Sequence, residues 1–252
     1  MKSLLGTLAL TLLLSSTALF AQGPLRVLAY ETDPFSRQND AEDPGLEIEL
    51  LQYWAKSQGR ELRVEWTADF ESILPRIEAR EADVAAGTIT VTPERQDRVD
   101  FSAGYFPVRV MLVEPEIRTT TQRSQLRDHT LATMKGTTYE KLLEGIPGSR
   151  FVYGDTEEEL FTLVSSGEAS ALAVDSAVAL TLLPKYPTLH MTLALSEEQN
   201  YAFAVPKGSP LAQELTQHIQ RMKQSRIYFR LLGKYFGEDA VDTVMAAKGG
   251  GS

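Results

Sequence analysis

The 252-residue sequence contains no cysteine, which excludes a disulfide framework and a cysteine-ligated metal centre. Histidine is scarce, and His129, His190 and His218 lack the close spacing of a zinc site. We therefore predict no metal and no cofactor. Stability must come from a hydrophobic core, for which this length and 43% hydrophobic residues are sufficient.

An excess of positive charge is also missing, since 25 lysines and arginines face 34 acids for a net charge of -9. This balance argues against binding of nucleic acid or an anionic membrane surface by charge alone. The sequence has no Gly-x-Ser-x-Gly elbow, phosphate loop or dinucleotide fingerprint. Together these absences favour a binding protein that is not an enzyme.

Residues 1–21 have the layout of a secretory signal peptide, with a lysine start, an apolar run and small residues near Ala18 and Ala21. A membrane anchor would need about 18 apolar residues, and the polar residues 15–17 interrupt this run. We expect cleavage after Ala18 or Ala21 and a periplasmic protein. Residues 241–252, which end in Gly-Gly-Gly-Ser, are predicted to be a flexible tail.

Strands and helices alternate along the chain with short connections. Strands are predicted at Leu25–Tyr30, 62–66 and 82–87, with helices at Leu46–Gln58 and Phe70–Arg80, where Pro75 begins the regular part. This order is typical of an α/β fold with a parallel core sheet.

The same pattern restarts after the apolar run Val108–Val113. We predict two lobes joined by two crossings, the first built from residues 24–110 and 200–240 and the second from 111–199. Thr156 is the expected cap of a second-lobe helix. The acidic run Glu157–Glu159 is interpreted as complementing the dipole of that helix, without a functional role.

The run Ala85–Ser102 concentrates groups that bind a small anion. Thr92 and the following proline predict a helix start, which places Arg95 on the first turn. Gly87 would let the backbone approach a ligand closely, and Thr88 and Thr90 offer N–H and hydroxyl donors. A guanidinium matches a carboxylate better than an ammonium does. The alternative is that Arg95 forms a surface pair with one of the nearby aspartates, Asp97 or Asp100.

A second candidate is Asp175, at the carboxyl end of the predicted strand Ala169–Val174. Ligands of open α/β sheets bind at this edge. An acid there, facing Arg95 on the other lobe, would form a clamp for a ligand with both ammonium and carboxylate. Alternatively, Asp175 caps the following helix, and the two roles are compatible.

The chain resembles the family 3 periplasmic solute-binding proteins, the receptors for polar and basic amino acids in ABC importers. The resemblance covers about residues 25–237. In the first lobe it is carried by Asp69-Phe70, Leu74-Pro75, Ala82-Asp83, Gly87-Thr88-Ile89-Thr90, Glu94-Arg95 and Val99-Asp100-Phe101-Ser102. Later in the chain it is carried by Gly167, Asp175, the run Tyr201 to Gly208, and Lys234-Tyr235-Phe236-Gly237.

This resemblance implies a two-lobed periplasmic binding protein fold of type II, a monomer that delivers its ligand to an ABC permease in the inner membrane. It implies that Arg95, with Thr88 and Thr90, binds the α-carboxylate and that Asp175 binds the α-ammonium. The remaining expected contacts are an apolar wall from Phe70, donors from Thr137 and Thr138, and contacts from Tyr30 and Glu31. The first loop is shorter than in the amino-acid receptors, so Tyr30 or Phe35 would replace their stacking aromatic residue.

Two other functions stay open. The stretch 174–201 also resembles the binding domain of membrane-bound lytic murein transglycosylases, which suggests a sensor or regulatory module for peptide or cell-wall-derived ligands. Periplasmic cyclohexadienyl dehydratases share the fold, and their chemistry would require a general acid, for which Glu31 and Glu140 are the candidates.

Overall fold

A computed structural model describes residues 23–237 of the protein. The predicted signal peptide and the predicted tail at 241–252 lie outside the described residues. No helix within residues 23–237 is long and apolar enough to cross a membrane.

The first lobe is built on a five-stranded sheet of order β2-β1-β3-β12-β4. Its central strand β1 pairs in parallel with β2 and β3, while β12 is antiparallel to β3 and β4. The strands are β1 (Leu25–Tyr30), β2 (Leu62–Thr67), β3 (Val84–Ala86), β4 (Val99–Phe101) and β12 (Ala204–Pro206). The helices are α1 (Leu46–Ser57), α2 (Ile73–Glu78), α3 (Pro93–Arg98), α7 (Leu211–Met222) and α8 (Arg226–Phe236).

The second lobe is built on a five-stranded sheet of order β10-β6-β9-β7-β8. Strand β7 is parallel to β8 and β9, and β6 is antiparallel to β9 and β10. The strands are β6 (Val110–Pro115), β7 (Thr130–Thr133), β8 (Arg150–Tyr153), β9 (Ala171–Asp175) and β10 (Leu189–Ala194). The helices are α4 (Thr138–Glu144), α5 (Glu157–Ser165) and α6 (Ser176–Leu182), with 3₁₀ turns at Arg123–Leu126 and Leu183–Lys185.

A two-stranded antiparallel ladder joins the lobes. It pairs β5 (Phe106–Val108) with β11 (Gln199–Tyr201), so that the outgoing and returning chains cross side by side. We call this ladder the hinge. The lobe limits at 110/111 and 199/200 stay a prediction.

The burial pattern of the first-lobe strands and helices follows from their positions in the sheet and against it. Five of the six residues of β1 are buried, as expected for a central strand, whereas β2 alternates between half-buried and exposed positions at the sheet edge. The apolar stripe of α1 that contains Leu50, Leu51 and Trp54 is buried against the sheet.

Several predicted elements differ in their bounds. The strands predicted at 82–87 and Ala169–Val174 are Val84–Ala86 and Ala171–Asp175. Helix α2 begins at Ile73, two residues before Pro75, because proline is tolerated throughout the first turn, where its missing N–H has no intrahelical partner. The run Tyr201 to Gly208 contains parts of two strands, because β11 ends in the hinge at Tyr201 and β12 begins in the first sheet at Ala204.

Candidate functional site

A small enclosed cavity lies between the lobes, at the carboxyl ends of strands from both sheets. Seven predicted site residues line it, together with three that the sequence analysis did not assign to the site. The predicted ones are Phe70, Thr88, Thr90, Arg95, Thr137, Thr138 and Asp175, and the others are Met134, Tyr139 and Glu157. The two opposing lobes therefore contribute a cation and two acids to one buried space.

Arg95 reaches this cavity from the first turn of α3. The helix begins as predicted, with Pro93 in its first turn and the Thr92 hydroxyl accepting the Arg95 N–H at 3.2 Å. The guanidinium is 8% exposed, donates to the Thr90 carbonyl at 2.9 Å, and lies over the Phe70 ring at 5.7 Å. Burial lowers the pKa of Arg95, and the nearby Asp175 opposes that shift. The alternative, a surface ion pair of Arg95 with Asp97 or Asp100, is wrong, because the Arg95 side chain points inward.

The backbone N–H groups of Gly87 and Thr88 are hydrogen-bonded to a first-lobe residue that the sequence did not indicate as part of the site. The buried Glu47 on α1 accepts both of their backbone N–H groups, each at 3.1 Å. These N–H groups are therefore not the ligand donors that we expected, and Thr88 offers its side chain alone. A Cβ at Gly87 would lie 2.9 Å from the Tyr30 Cβ, so this glycine serves packing against β1.

Asp175 faces Arg95 from the end of β9 and is 1% exposed. Its Oδ2 accepts from the Tyr201 hydroxyl at 2.6 Å and from the Tyr139 hydroxyl at 3.2 Å. Its Oδ1 is buried and has no hydrogen-bond partner among the described residues. Burial raises the pKa of Asp175 to about 6, while the two tyrosines and Arg95 oppose the shift. Asp175 is also the N-cap residue of α6, as the alternative predicts, but its side chain makes no capping hydrogen bond.

Thr137 and Thr138 lie at the start of α4. The Thr137 hydroxyl is already engaged, because it donates to the Met134 carbonyl at 2.6 Å and caps the Glu140 N–H at 3.4 Å. Thr138, the next residue, is half-buried and also borders a larger cleft outside Arg95.

Tyr30 and Glu31 do not line the small cavity. Tyr30 packs edge-on against Phe70, with ring centroids 5.4 Å apart, and its hydroxyl donates across the lobes to the Asp155 carbonyl at 2.8 Å. Both residues border a cleft of about 600 Å³ beyond Glu157. Phe35 is fully buried in the core of the first lobe against Tyr201, so it cannot stack on a ligand.

The burial of Glu157 in the cavity wall contradicts our interpretation of the acidic run on α5. Glu158 pairs with Lys185 and Glu159 accepts the Asp155 N–H, as expected for an exposed first turn. Glu157 is instead 6% exposed and lines the cavity. Burial and Asp175 raise the pKa of Glu157 to about 7. The sequence carried a signal for this, since Glu157 shares the helical face of Leu160, Phe161 and Val164.

The candidates for a general acid lie away from the small cavity. Glu31 accepts the Gln38 N–H at 3.1 Å, and Glu140 accepts the Gly136 N–H at 2.9 Å. Within residues 23–237, no group of three or more histidine and acidic side chains is placed to hold a metal ion.

The lobes are closed on each other. Arg95 also donates to the Gly136 carbonyl of the second lobe at 3.0 Å, and Glu94 pairs with Lys141 across the cleft. The cavity contains about 10 Å³ of free space, about the minimum that a single water molecule needs. A ligand therefore requires the lobes to part. A cleft of about 590 Å³ adjoins the cavity outside Arg95.

Two α/β lobes, a paired-strand hinge and a charged cavity between them define a periplasmic binding protein fold of type II. Residues 25–238 match the family of bacterial extracellular solute-binding proteins, family 3, and the chain belongs to that family.

The relatives include both separate binding proteins and parts of longer enzymes. The chain is 26% identical over 212 residues to the ABC transporter glutamine-binding protein GlnH of Bacillus subtilis, which covers 81% of this chain and 77% of that protein. It is 28% identical to the membrane-bound lytic murein transglycosylase F of Desulfosudis oleivorans, over 79% of this chain and 45% of the relative. The chain thus spans about half the length of the transglycosylases that it matches.

The fold also matches that of a binding protein whose structure was solved with an amino acid bound. An ancestral arginine-binding protein bound to arginine superimposes with a TM-score of 0.78 at 26% identity, covering 86% of this chain and 100% of the other.

Proposed function

We propose that this protein binds an amino acid, or a related small carboxylate, between its lobes and presents the closed form to an ABC importer. The observation that carries the proposal is the pair of opposite charges in one buried cavity, Arg95 from the first lobe and Asp175 from the second. A free α-amino acid carries a carboxylate and an ammonium on the same carbon, so it is the small ligand that satisfies both groups at once.

The free atoms of the site support this assignment. The orphaned Oδ1 of Asp175 is a buried acceptor that an ammonium group would satisfy. The guanidinium of Arg95 already bonds to two carbonyl oxygens, and a carboxylate would be a stronger acceptor than either, because the bond would be charge-assisted. Thr90 and Thr138 add hydroxyl groups on opposite walls of the cavity.

Closure couples binding to recognition by a partner. A ligand that touches both lobes stabilises the closed form over the open one, since its affinity differs between the two. An importer that binds the closed surface would then distinguish loaded from empty protein. The family and the named glutamine-binding relative support this role. We propose a periplasmic monomer, exported by the signal peptide, that does not bind nucleic acid.

The test is a calorimetric titration of the purified protein with each of the twenty amino acids. We expect at least one amino acid to bind, and the proposal fails if none binds.

The transglycosylase relatives favour a second candidate, a regulatory module for peptides or cell-wall fragments. The two outer clefts, of about 590 and 600 Å³, offer room for ligands larger than one amino acid. Titration with a murein tripeptide and with free amino acids separates the two candidates. Tighter binding of the peptide would favour the module over the importer receptor.

A further inference from the structure

The cavity contains one acid more than an amino-acid backbone requires. Arg95 and Asp175 are the partners for the carboxylate and ammonium of the ligand, and Glu157 lines the same cavity. Within residues 23–237 Glu157 forms no ion pair, although it is nearly as buried as Asp175. A buried carboxylate without a cation is costly, so a ligand that brings one gains binding energy there.

The position of Glu157 indicates which part of a ligand this extra acid would contact. It borders both the cavity and the cleft of about 600 Å³ on the side away from Arg95. Glu157 therefore lies between the cavity and a cleft with room for a ligand side chain.

Four further acidic side chains line the cleft beyond Glu157. Two of these four acids are paired, Glu158 with Lys185 of the same lining at 3.1 Å and Asp33 with Arg37 at 2.5 Å. Tyr30 and Trp66 form aromatic parts of its wall, and aromatic faces attract ammonium and guanidinium groups. The four acids are Glu31, Asp33, Asp155 and Glu158. A neutral or acidic side chain gains little from this surface.

We propose that Glu157 determines specificity by binding a cationic group on the ligand side chain, so that the site selects basic α-amino acids. This inference rests on the proposed function and adds the ligand class to it. Glu157 acts directly on the ligand, while Asp175 remains the partner of the α-ammonium.

The experiment compares arginine with citrulline, which has nearly the same shape but no side-chain charge. Calorimetry of both ligands is performed on the wild type, on Glu157→Gln and on Glu159→Gln. Glu159→Gln is a matched control, because Glu159 is an exposed acid on the same first turn and lines neither the cavity nor the cleft beyond Glu157. We expect the wild type to favour arginine over citrulline about tenfold or more, as for a charge-assisted bond.

Glu157→Gln should reduce that preference to about threefold or less while leaving citrulline binding nearly unchanged, and Glu159→Gln should keep it. Glu157→Asp, which retains the charge, should keep part of the preference. Equal affinity for the two ligands in the wild type, or an unchanged preference in Glu157→Gln, would overturn this inference alone. Failure of every amino acid to bind would overturn the proposed function and this inference with it.

Discussion

The guanidinium of Arg95 on the first lobe donates a 3.0 Å hydrogen bond to the carbonyl oxygen of Gly136 on the second lobe. One side chain thus contributes to the candidate ligand site and also links the lobes. A carboxylate ligand competes with this carbonyl for the same donor. Ligand binding and lobe contact are therefore coupled at a single residue.

Arg95→Ala should abolish amino-acid binding, because among residues 23–237 it removes the only cation that lines the small cavity. The loss of its two hydrogen bonds is offset by the removal of a buried charge, so the free energy of unfolding should change by no more than about 2 kcal/mol. Arg98→Ala is the control, since Arg98 lies on the same helix and pairs outside with Glu78 at 2.6 Å. Normal binding by Arg95→Ala in calorimetry would show that the site is assigned wrongly.

Asp175→Asn should weaken binding of α-amino acids about 100-fold, because a neutral amide loses the charge-assisted bond to the ammonium group. Carboxylic acids that lack the amino group should bind to the variant and to the wild type within about threefold. The measurement is calorimetry of an amino acid and its deaminated analogue on both proteins. Equal losses for the two ligands would exclude the ammonium role.

Stability should depend on pH through the two cavity acids. Burial raises the pKa of Asp175 from 3.8 to about 6 and that of Glu157 from 4.5 to about 7. The folded state therefore holds protons that the unfolded state has already lost, and the free energy of unfolding falls as pH rises from about 4 to about 7.

The variant Glu157→Gln isolates one of these contributions. It lacks the ionised acid at high pH, so its stability relative to the wild type should improve by about 2 kcal/mol or more between pH 5 and pH 8. Asp175 on β9 titrates in the same range, and its charge also raises the pKa of Glu157. Urea unfolding at both pH values measures the difference. Glu158→Gln should show none, and an equal response of the two variants would contradict the prediction.

Glu47→Ala should be among the most destabilising substitutions in the first lobe. The buried carboxylate accepts from the N–H groups of Gly87 and Thr88 and from the hydroxyls of Ser36 and Tyr105. Leaving these donors buried without a partner costs about 1–3 kcal/mol each, so we expect a loss of roughly 4 kcal/mol or more in urea unfolding. Glu65→Ala, an exposed acid paired with Arg76, should lose less than about 1 kcal/mol.

The sequence was informative wherever the deciding interaction is local. The helix start at Thr92 and Pro93, the buried strand β1 and the position of Asp175 at a strand end all follow from neighbours within a few residues. The family resemblance then placed Arg95 and Asp175 on opposite walls of one cleft.

The sequence was less informative where the partner is distant. Glu47 is 40 residues before Gly87, and Tyr201 is 26 residues after Asp175, so no local pattern pairs them. Glu157 differs for another reason: the helix dipole is a sufficient explanation for an acid on a first turn, although the spacing of Glu157 from Leu160, Phe161 and Val164 places it on the buried face.

Tyr201 connects the hinge to the protonation state of Asp175. This residue is the last of β11, and its hydroxyl is 2.6 Å from the Oδ2 of Asp175. Parting of the lobes would separate Asp175 from this phenol and expose it to solvent, where a carboxyl is more acidic. The open state would then favour the ionised acid more strongly than the closed, empty state does. Proton uptake and lobe closure are thermodynamically linked, so acidification should draw the unliganded protein shut and compete with ammonium-bearing ligands for the same oxygen atoms.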